Sequence, residues 1–445
     1  MKRKIEQDLE YWKDKPHRMP LLLRGARQVG KTYIIKQFAQ NYFDNTLSIN
    51  FEFQPEFKVC FDSLDPQKIV VELEILSRQR IIAGKTLLFW DEIQECPKAI
   101  MAMRYFKEKM PELHLIGAGS LLEFVLSEED FRMPVGRVEF LYLGPLSFKE
   151  FLQATGEDLI LERWYEFDET HLLPVSIHQH LLKKTKEYSL LGGMPSVVSA
   201  YIEHQNLMIC QDLQVVLLNT YRNDFGKYAS KTAYKHLQIL FEKAPGMVAQ
   251  WFKYVKISSD ITPKDMRNAL TLLYNAGIFY PIYATKASGL PLVSTQNEKK
   301  FKLLFLDIGL LKKACRLDAE LLSTNDIFLL NQGALVEQWV GQELIAYGNK
   351  NEPPALYFWA REEKNSRAEV DYLTLIDGQI IPIEVKAGKT GRLKSLQIFM
   401  QEKKSSIGIQ ISQAPLYFDK PSKILTIPLY WIDRIPELVK RCIDA

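Results

Sequence analysis

The sequence predicts an α/β protein of several domains, and three features carry that expectation. "PLLLRGA" is an apolar run entering a glycine-rich loop, followed by "KTYIIKQFAQNYF", where Ile34, Ile35, Phe38 and Phe43 recur at helical spacing. "TLSINFE", "KTLLFWDEIQ" and "ELHLIGAGS" are further apolar runs alternating with helical patterns, as in a doubly wound parallel sheet whose ligands gather at the carboxyl ends of the strands. Mixed strand and helix patterns return after residue 295.

At 445 residues the chain exceeds one ordinary core. The expected division is an α/β domain over 1–150, a helical lid or connector over 151–230, a winged-helix-like region over 231–294 and a second α/β domain over 295–445. "LSFKEFLQATG", "IHQHLLKKTKEYSLLGG" and "QDLQVVLLNTYRNDFGKYA" read as helices interrupted by Gly192, Gly193 and Pro195. Thr262 and Pro263 open a further helix that ends near Gly277 before an apolar strand. Three short helices with a terminal strand fit a winged helix, which either binds DNA or joins domains. "KASGLPLVSTQNEKK" reads as a hairpin tip or linker. "FKLLFLDIGLL" and "PALYFWA" read as strands, and "NQGALVEQWVGQELIAYG" and "KSLQIFMQEKK" as helices. "EVDYLTLID", turned at Asp377 and Gly378 into "QIIPIEVKAG", reads as a β-hairpin.

Composition excludes several classes. The longer apolar runs are far below the roughly 20 residues that span a bilayer, so no transmembrane segment is expected. The charged start "MKRKIEQDLEYWKDK" lacks the apolar core of a signal peptide, and a cytoplasmic protein is expected. Five scattered cysteines and seven histidines form no metal-binding spacing; His178 and His180 are close but lack a third ligand. A net charge of +3 neither selects nor excludes nucleic acid.

Gly25, Gly30, Lys31 and Thr32 satisfy the spacing G-x-x-x-x-G-K-[ST]. Glycines are needed there because backbone N–H groups must converge on phosphate without Cβ obstruction, and the following helix adds its amino-terminal donors. The loop Gly25, Ala26, Arg27, Gln28, Val29, Gly30, Lys31, Thr32 is thus a candidate ATP-binding site. Lys31 reaches the β- and γ-phosphates and the Thr32 hydroxyl serves Mg2+. Asp91 ends a second buried-looking strand, where it holds the same ion. Glu92 either polarises the attacking water or is an ordinary helix-start acid. Ser120 either contacts the γ-phosphate or ends a tight turn. Arg137 is a phosphate sensor, a finger into a neighbouring copy, or a surface ion-pair residue.

A second constellation lies near the carboxyl terminus. Asp371 and Glu384 fall on adjacent strands of the hairpin, and Glu384 and Lys386, two residues apart, share a face. Glu337 on the preceding helix adds a carboxylate. Glu337, Asp371 and Glu384 are candidate ligands for Mg2+ or Mn2+, with Lys386 orienting water. Glu369 shares Asp371's face as an outer acid or an ion-pair partner. Gln397 is a further site residue or a solvent-facing amide. Lys386, Lys389, Arg392, Lys394, Lys403 and Lys404 form a phosphate-facing patch or a solvated surface. Tyr357, Phe358 and Trp359 either stack bases or pack in the core.

Nearly the full chain resembles a bacterial and archaeal family of AAA-type (AAA+) ATPases joined to a carboxyl-terminal domain of unknown function. The stretches are "LLLRGARQVGKTYIIKQFA", "LLFWDEIQECP", "LIGAGS", "GRVEFLYLGPLSFKEFL", "LLGGMPSVV", "LFLDIGLL", "NQGALVEQWVGQEL" and "YFWAREEKNSRAEVDYLTLIDGQIIPIEVKAG". The resemblance implies that Lys31 and Thr32 serve phosphate and magnesium, that Asp91 and Glu92 form the second nucleotide motif, and that Ser120 takes the first sensor position. Arg137 fits the family's Gly-Arg element. Trp90 departs from the small or acidic residue usual before the acidic pair. "VD" and "EVK" resemble the PD-(D/E)XK nuclease superfamily, which implies a restriction-endonuclease-like core. The expected function is magnesium-dependent ATP hydrolysis coupled to a nucleic-acid-binding or nuclease-like module. The alternative is an ATP-dependent signalling or scaffolding protein whose carboxyl domain binds a protein partner without cleavage. A homo-oligomer is plausible on either reading.

Overall fold

The structure, a computed structural model, describes residues 1–120, 122, 136–227, 231–317, 333–362, 368–388 and 393–444. The chain forms two compact units. One comprises Met1–Gly144 with Asn275–Ile278 and Asn349–Pro353; the other comprises Pro145–Tyr274, Phe279–Gly348 and Pro354–Ala445.

The first unit is built on a parallel sheet of β1 (Leu21–Arg24), β2 (Asn45–Asn50), β3 (Thr86–Asp91), β4 (His114–Ala118) and β5 (Glu139–Tyr142). Their order is β2-β3-β4-β1-β5, and every adjacent pair is parallel. Helices α1 (Ile5–Asp14), α2 (Lys31–Tyr42), α3 (Pro66–Ser77) and α4 (Pro97–Lys109) complete the unit. All six residues of β3 are buried, as a strand covered on both faces requires. Trp90 is fully buried, edge-on to Phe61 at 5.0 Å and Phe106 at 5.4 Å. Its bulk is core packing. This strand order puts β4 between β1 and β3, so the carboxyl ends of the loop-bearing strand, the Ser120 strand and the Asp91 strand open side by side.

The second unit begins with helices α5 (Phe148–Ala154), α6 (Asp158–Glu162), α7 (Val175–Leu191), α8 (Pro195–His204) and α9 (Leu207–Asp224). Ser147 and Glu150 form a reciprocal capping box on α5. Helices α10 (Lys231–Lys243), α11 (Tyr254–Ile257) and α12 (Pro263–Asn275) follow. Thr262 and Asp265 bond side chain to side chain at 2.7 Å at the start of α12.

The sheet crosses the expected boundary at residue 294. Strands β6 (Phe279–Thr285) and β7 (Gln296–Phe305) pair antiparallel. They extend one eight-stranded sheet that also contains β8 (Leu356–Ala360), β9 (Glu369–Ile376), β10 (Gln379–Val385), β11 (Gly408–Ser412), β12 (Tyr417–Asp419) and β13 (Ile424–Pro428). The order is β12-β13-β11-β10-β9-β8-β6-β7. The helices over 231–275 therefore lead directly into this sheet. Helix α13 (Ile308–Ala314) follows β7, α14 (Ala334–Tyr347) precedes β8, α15 (Lys394–Lys403) crosses from β10 to β11, and α16 (Ile435–Asp444) closes the described chain.

"FKLLFLDIGLL", expected as a strand, is a strand end followed by a helix. β7 stops at Phe305 because Asp307 caps α13, accepting from the Leu310 N–H at 3.0 Å. The same carboxylate accepts from the Gly193 N–H at 2.6 Å. Gly192 has φ +76°, and a Cβ there would collide with Asp307. The glycine pair thus lets "LLGG" lie against the capping aspartate.

Candidate nucleotide-binding site

The loop between β1 and α2 takes the conformation its glycines permit. Gly25 has φ +149° and Gly30 has φ +96°, and Gln28 also sits at positive φ. A Cβ on Gly25 would run into the backbone carbonyl of Leu143. Arg3 braces the loop from outside, donating to the Val29 carbonyl at 3.2 Å and to the Gly144 carbonyl at 2.8 Å. Arg27 pairs with Glu52 at 3.5 Å.

Lys31 is buried and folds back over its own loop. Its Nζ donates to the carbonyls of Gly25 and Ala26, both at 2.9 Å. Burial pushes the ammonium down to about 8, against the opposing pull of Glu92 and Asp91. The two carbonyls that accept from Lys31 belong to its own loop, and phosphate oxygens can replace them.

Thr32 donates to both carboxylate oxygens of Asp91, at 3.1 and 2.9 Å. Asn50 Nδ2 donates to the same carboxylate at 3.2 Å. The parallel register pairs Asn50 with Asp91 at the carboxyl ends of β2 and β3. Sequence reasoning missed Asn50; its signal is a polar residue ending a strand that neighbours the acidic one. The Asn50 Oδ1 accepts from the Glu52 and Phe53 N–H groups at 3.0 and 3.1 Å, so its amide positions the carboxylate, while the hydroxyl and the carboxylate are hard oxygen donors of the kind that fits Mg2+.

Glu92 has φ +48°, which turns it out of the strand, and its carboxylate accepts from Gln94 Nε2 at 2.7 Å. Ser120 is buried, and its Oγ has no hydrogen-bond partner among the described residues. Arg137 does not join this group in the chain. Its Nε donates to Glu108 on α4 at 3.2 Å, with the side chain 47% exposed.

In the second unit, Glu337 on α14 and Glu369 and Asp371 on β9 converge on a lysine. Lys302 on β7, which the sequence reading did not single out, places its Nζ 3.1 Å from Glu337, 2.6 Å from Glu369 and 3.6 Å from Asp371. Burial opposes the Lys302 charge, yet Glu337, Asp371 and Glu369 together hold it well above the ordinary lysine range. Asp371 also accepts from the Val385 N–H at 2.8 Å. Glu384 pairs with Lys386 at 2.7 Å, and its other oxygen is buried without a partner among the described residues. Burial raises the carboxyls of Glu337 and Glu384, helped by the charge of Asp371. Among the described residues no group of three or more His, Cys, Asp or Glu is arranged to hold a metal. Phe358 and Trp359 are core residues and Gln397 is exposed. Lys389 and Arg392 lie outside the described residues.

Residues 17–152 match the family described as AAA domain, and the parallel sheet with its phosphate loop supports a P-loop ATPase fold for that region. Residues 182–321 match a domain of unknown function (DUF8612), and residues 332–430 another (DUF4143). No curated protein matches the chain. Among solved structures, the Aeropyrum pernix ORC1 protein in complex with DNA is 15% identical, with 71% of this chain and 91% of that chain covered, at a TM-score of 0.28. C. elegans PCH-2 is 14% identical over 47% of this chain and 62% of that one, at 0.26. A Pyrococcus horikoshii signal transduction ATPase with a tetratricopeptide repeat sensor is 12% identical over 78% and 47%, at 0.27. Scores this low bear on neither activity nor partner. Among the described residues no helix is long and apolar enough to cross a membrane.

Proposed function

We propose that the protein binds and hydrolyses ATP with magnesium and that its nucleotide state acts on a nuclease-like carboxyl-terminal module, in the cytoplasm. The observation that carries the ATPase reading is the convergence of Lys31, Thr32, Asp91 and Asn50 at the carboxyl ends of β1, β2 and β3. Loop N–H groups and Lys31 bind the phosphates, while the Thr32 hydroxyl and the Asp91 carboxylate hold the ion. Magnesium, when bound, neutralises charge developing on the phosphoryl oxygens. Glu92, steadied by Gln94, takes up the water proton as the water attacks in line, with inversion and without a phosphorylated enzyme. Ser120 offers its unpaired hydroxyl to the γ-phosphate or the lytic water. Arg137 serves a neighbouring copy in a homo-oligomer; its exposure supports that role.

The order α14, β8, β9, β10, α15, β11, with β9 antiparallel to both neighbours and β10 parallel to β11, supports a restriction-endonuclease-like reading of the module. Lys302 favours the partner-binding form of that module over a cleaving one. Steady-state phosphate release by the purified chain tests the ATPase. Activity abolished in Lys31→Ala supports it, and undiminished hydrolysis in that variant overturns it. Linear, nicked and single-stranded DNA and RNA, incubated with divalent ions with and without ATP, test the module; cleavage lost in Asp371→Ala would establish a nuclease.

A further inference from the structure

The acidic cluster of the second unit holds its own cation. Lys302 is 2% exposed, and its ammonium lies 3.1 Å from Glu337 on α14 and 2.6 and 3.6 Å from Glu369 and Asp371 on β9. The carboxylates are engaged elsewhere as well. Trp251 Nε1 donates to the second oxygen of Glu369, the Val385 N–H donates to that of Asp371, and Lys386 takes one oxygen of Glu384. The ammonium also lies 5.3 Å from the centre of the Phe358 ring.

A divalent ion needs several oxygens directed at one point, at roughly 2.0–2.6 Å. Here the point on which Glu337, Glu369 and Asp371 converge is taken by an ammonium, and a metal beside it would meet a buried like charge. We propose that Lys302 is the resident cation of this cluster and stands where a divalent metal would, so that the carboxyl-terminal module takes up no divalent ion while Lys302 is in place. The inference is independent of the amino-terminal ATPase. It rests on the nuclease-like reading only for naming the metal that is displaced.

Mn2+ titration of the nucleotide-free full chain, read by the loss of the free-ion paramagnetic resonance signal, tests it. The expected result is an isotherm that Asp371→Asn leaves unchanged in the native background. Lys302→Met should gain one Mn2+ site, and Lys302→Met with Asp371→Asn should lose it. A Mn2+ site in the native protein that disappears in Asp371→Asn or Glu384→Gln would overturn the proposal. So would a folded Lys302→Met protein, checked by circular dichroism, that gains no site. If Lys302→Met fails to fold, the comparison of native protein with Asp371→Asn and Glu384→Gln still decides. ATP turnover in the same preparations reports on the amino-terminal site separately.

Discussion

Thr32 Oγ1 donates to both oxygens of Asp91, at 3.1 and 2.9 Å, across 59 residues of chain. The contact links the first turn of α2 to the end of β3, and it leaves a hydroxyl and a carboxylate side by side where a hard cation is needed. Thr32→Val keeps the shape and removes the oxygen. Turnover at saturating ATP should fall at least tenfold, and the Mg2+ concentration giving half-maximal rate should rise. Phosphate release measured over a Mg2+ series checks both; an unchanged Mg2+ midpoint would remove Thr32 from the ion site.

Lys31 gives the loop a pH dependence. Burial lowers its ammonium from 10.5 to about 8, whereas bound phosphate favours the charged form and raises it again. Above pH 8 nucleotide binding must therefore take up a proton. Apparent affinity should weaken from pH 8 to 9 by up to about tenfold, while Lys31→Met should bind weakly at every pH. Fluorescent-nucleotide titrations at pH 7, 8 and 9 would show it.

Gly25→Ala places a Cβ against the Leu143 carbonyl at a φ of +149°. Backbone strain alone costs roughly 1–3 kcal/mol, and the loop must shift to relieve the collision. Nucleotide binding should be lost, with only a modest fall in the unfolding midpoint. Calorimetric titration with ATP and a thermal melt separate these effects.

Glu343, on α14, accepts from the Phe148 N–H through both oxygens, at 3.0 and 3.1 Å. Burial raises its carboxyl from 4.5 to about 8. Between those values the folded chain holds a proton that the unfolded chain has released. Stability from this group is complete below pH 4.5 and is lost as pH rises through 8, at up to about 1.4 kcal/mol per pH unit. Glu343→Gln retains an acceptor for Phe148 without the charge. It should gain stability relative to the native protein as pH climbs from 5 to 8 in urea unfolding experiments, and level off above that. A constant difference across that range would contradict the assignment.

The two sites were legible to different degrees. Gly25, Gly30, Lys31 and Thr32 are contiguous, and the backbone path they impose is local, so spacing alone pointed to phosphate. Asp91 was visible as the acid ending an apolar strand. Asn50, Gln94 and Arg3 were not, because their contacts arise from strand register, a left-handed residue and the docking of α1. The hairpin at Asp377 and Gly378 was readable from its turn, as φ values of +47° and +76° require. It put Glu384 on the strand next to Asp371, while alternation along one strand put Glu369 and Asp371 on one face. Lys302 stayed hidden because β7 lies far back in the chain and carries three lysines, Lys299, Lys300 and Lys302, with nothing local to tell the buried one apart.

By itself, then, the sequence determined what short-range sterics and periodicity control: the phosphate loop, the buried strands, the helix caps and the β9–β10 turn. Only the tertiary structure decided which charges meet. It set Asn50 beside Asp91, turned Arg137 towards Glu108, carried β6 and β7 into the carboxyl-terminal sheet and put Lys302 among the acids. The physical reason is that backbone conformation depends on neighbours along the chain. The partner of a buried charge depends instead on strand order and register, which bring distant residues within a few ångströms of one another.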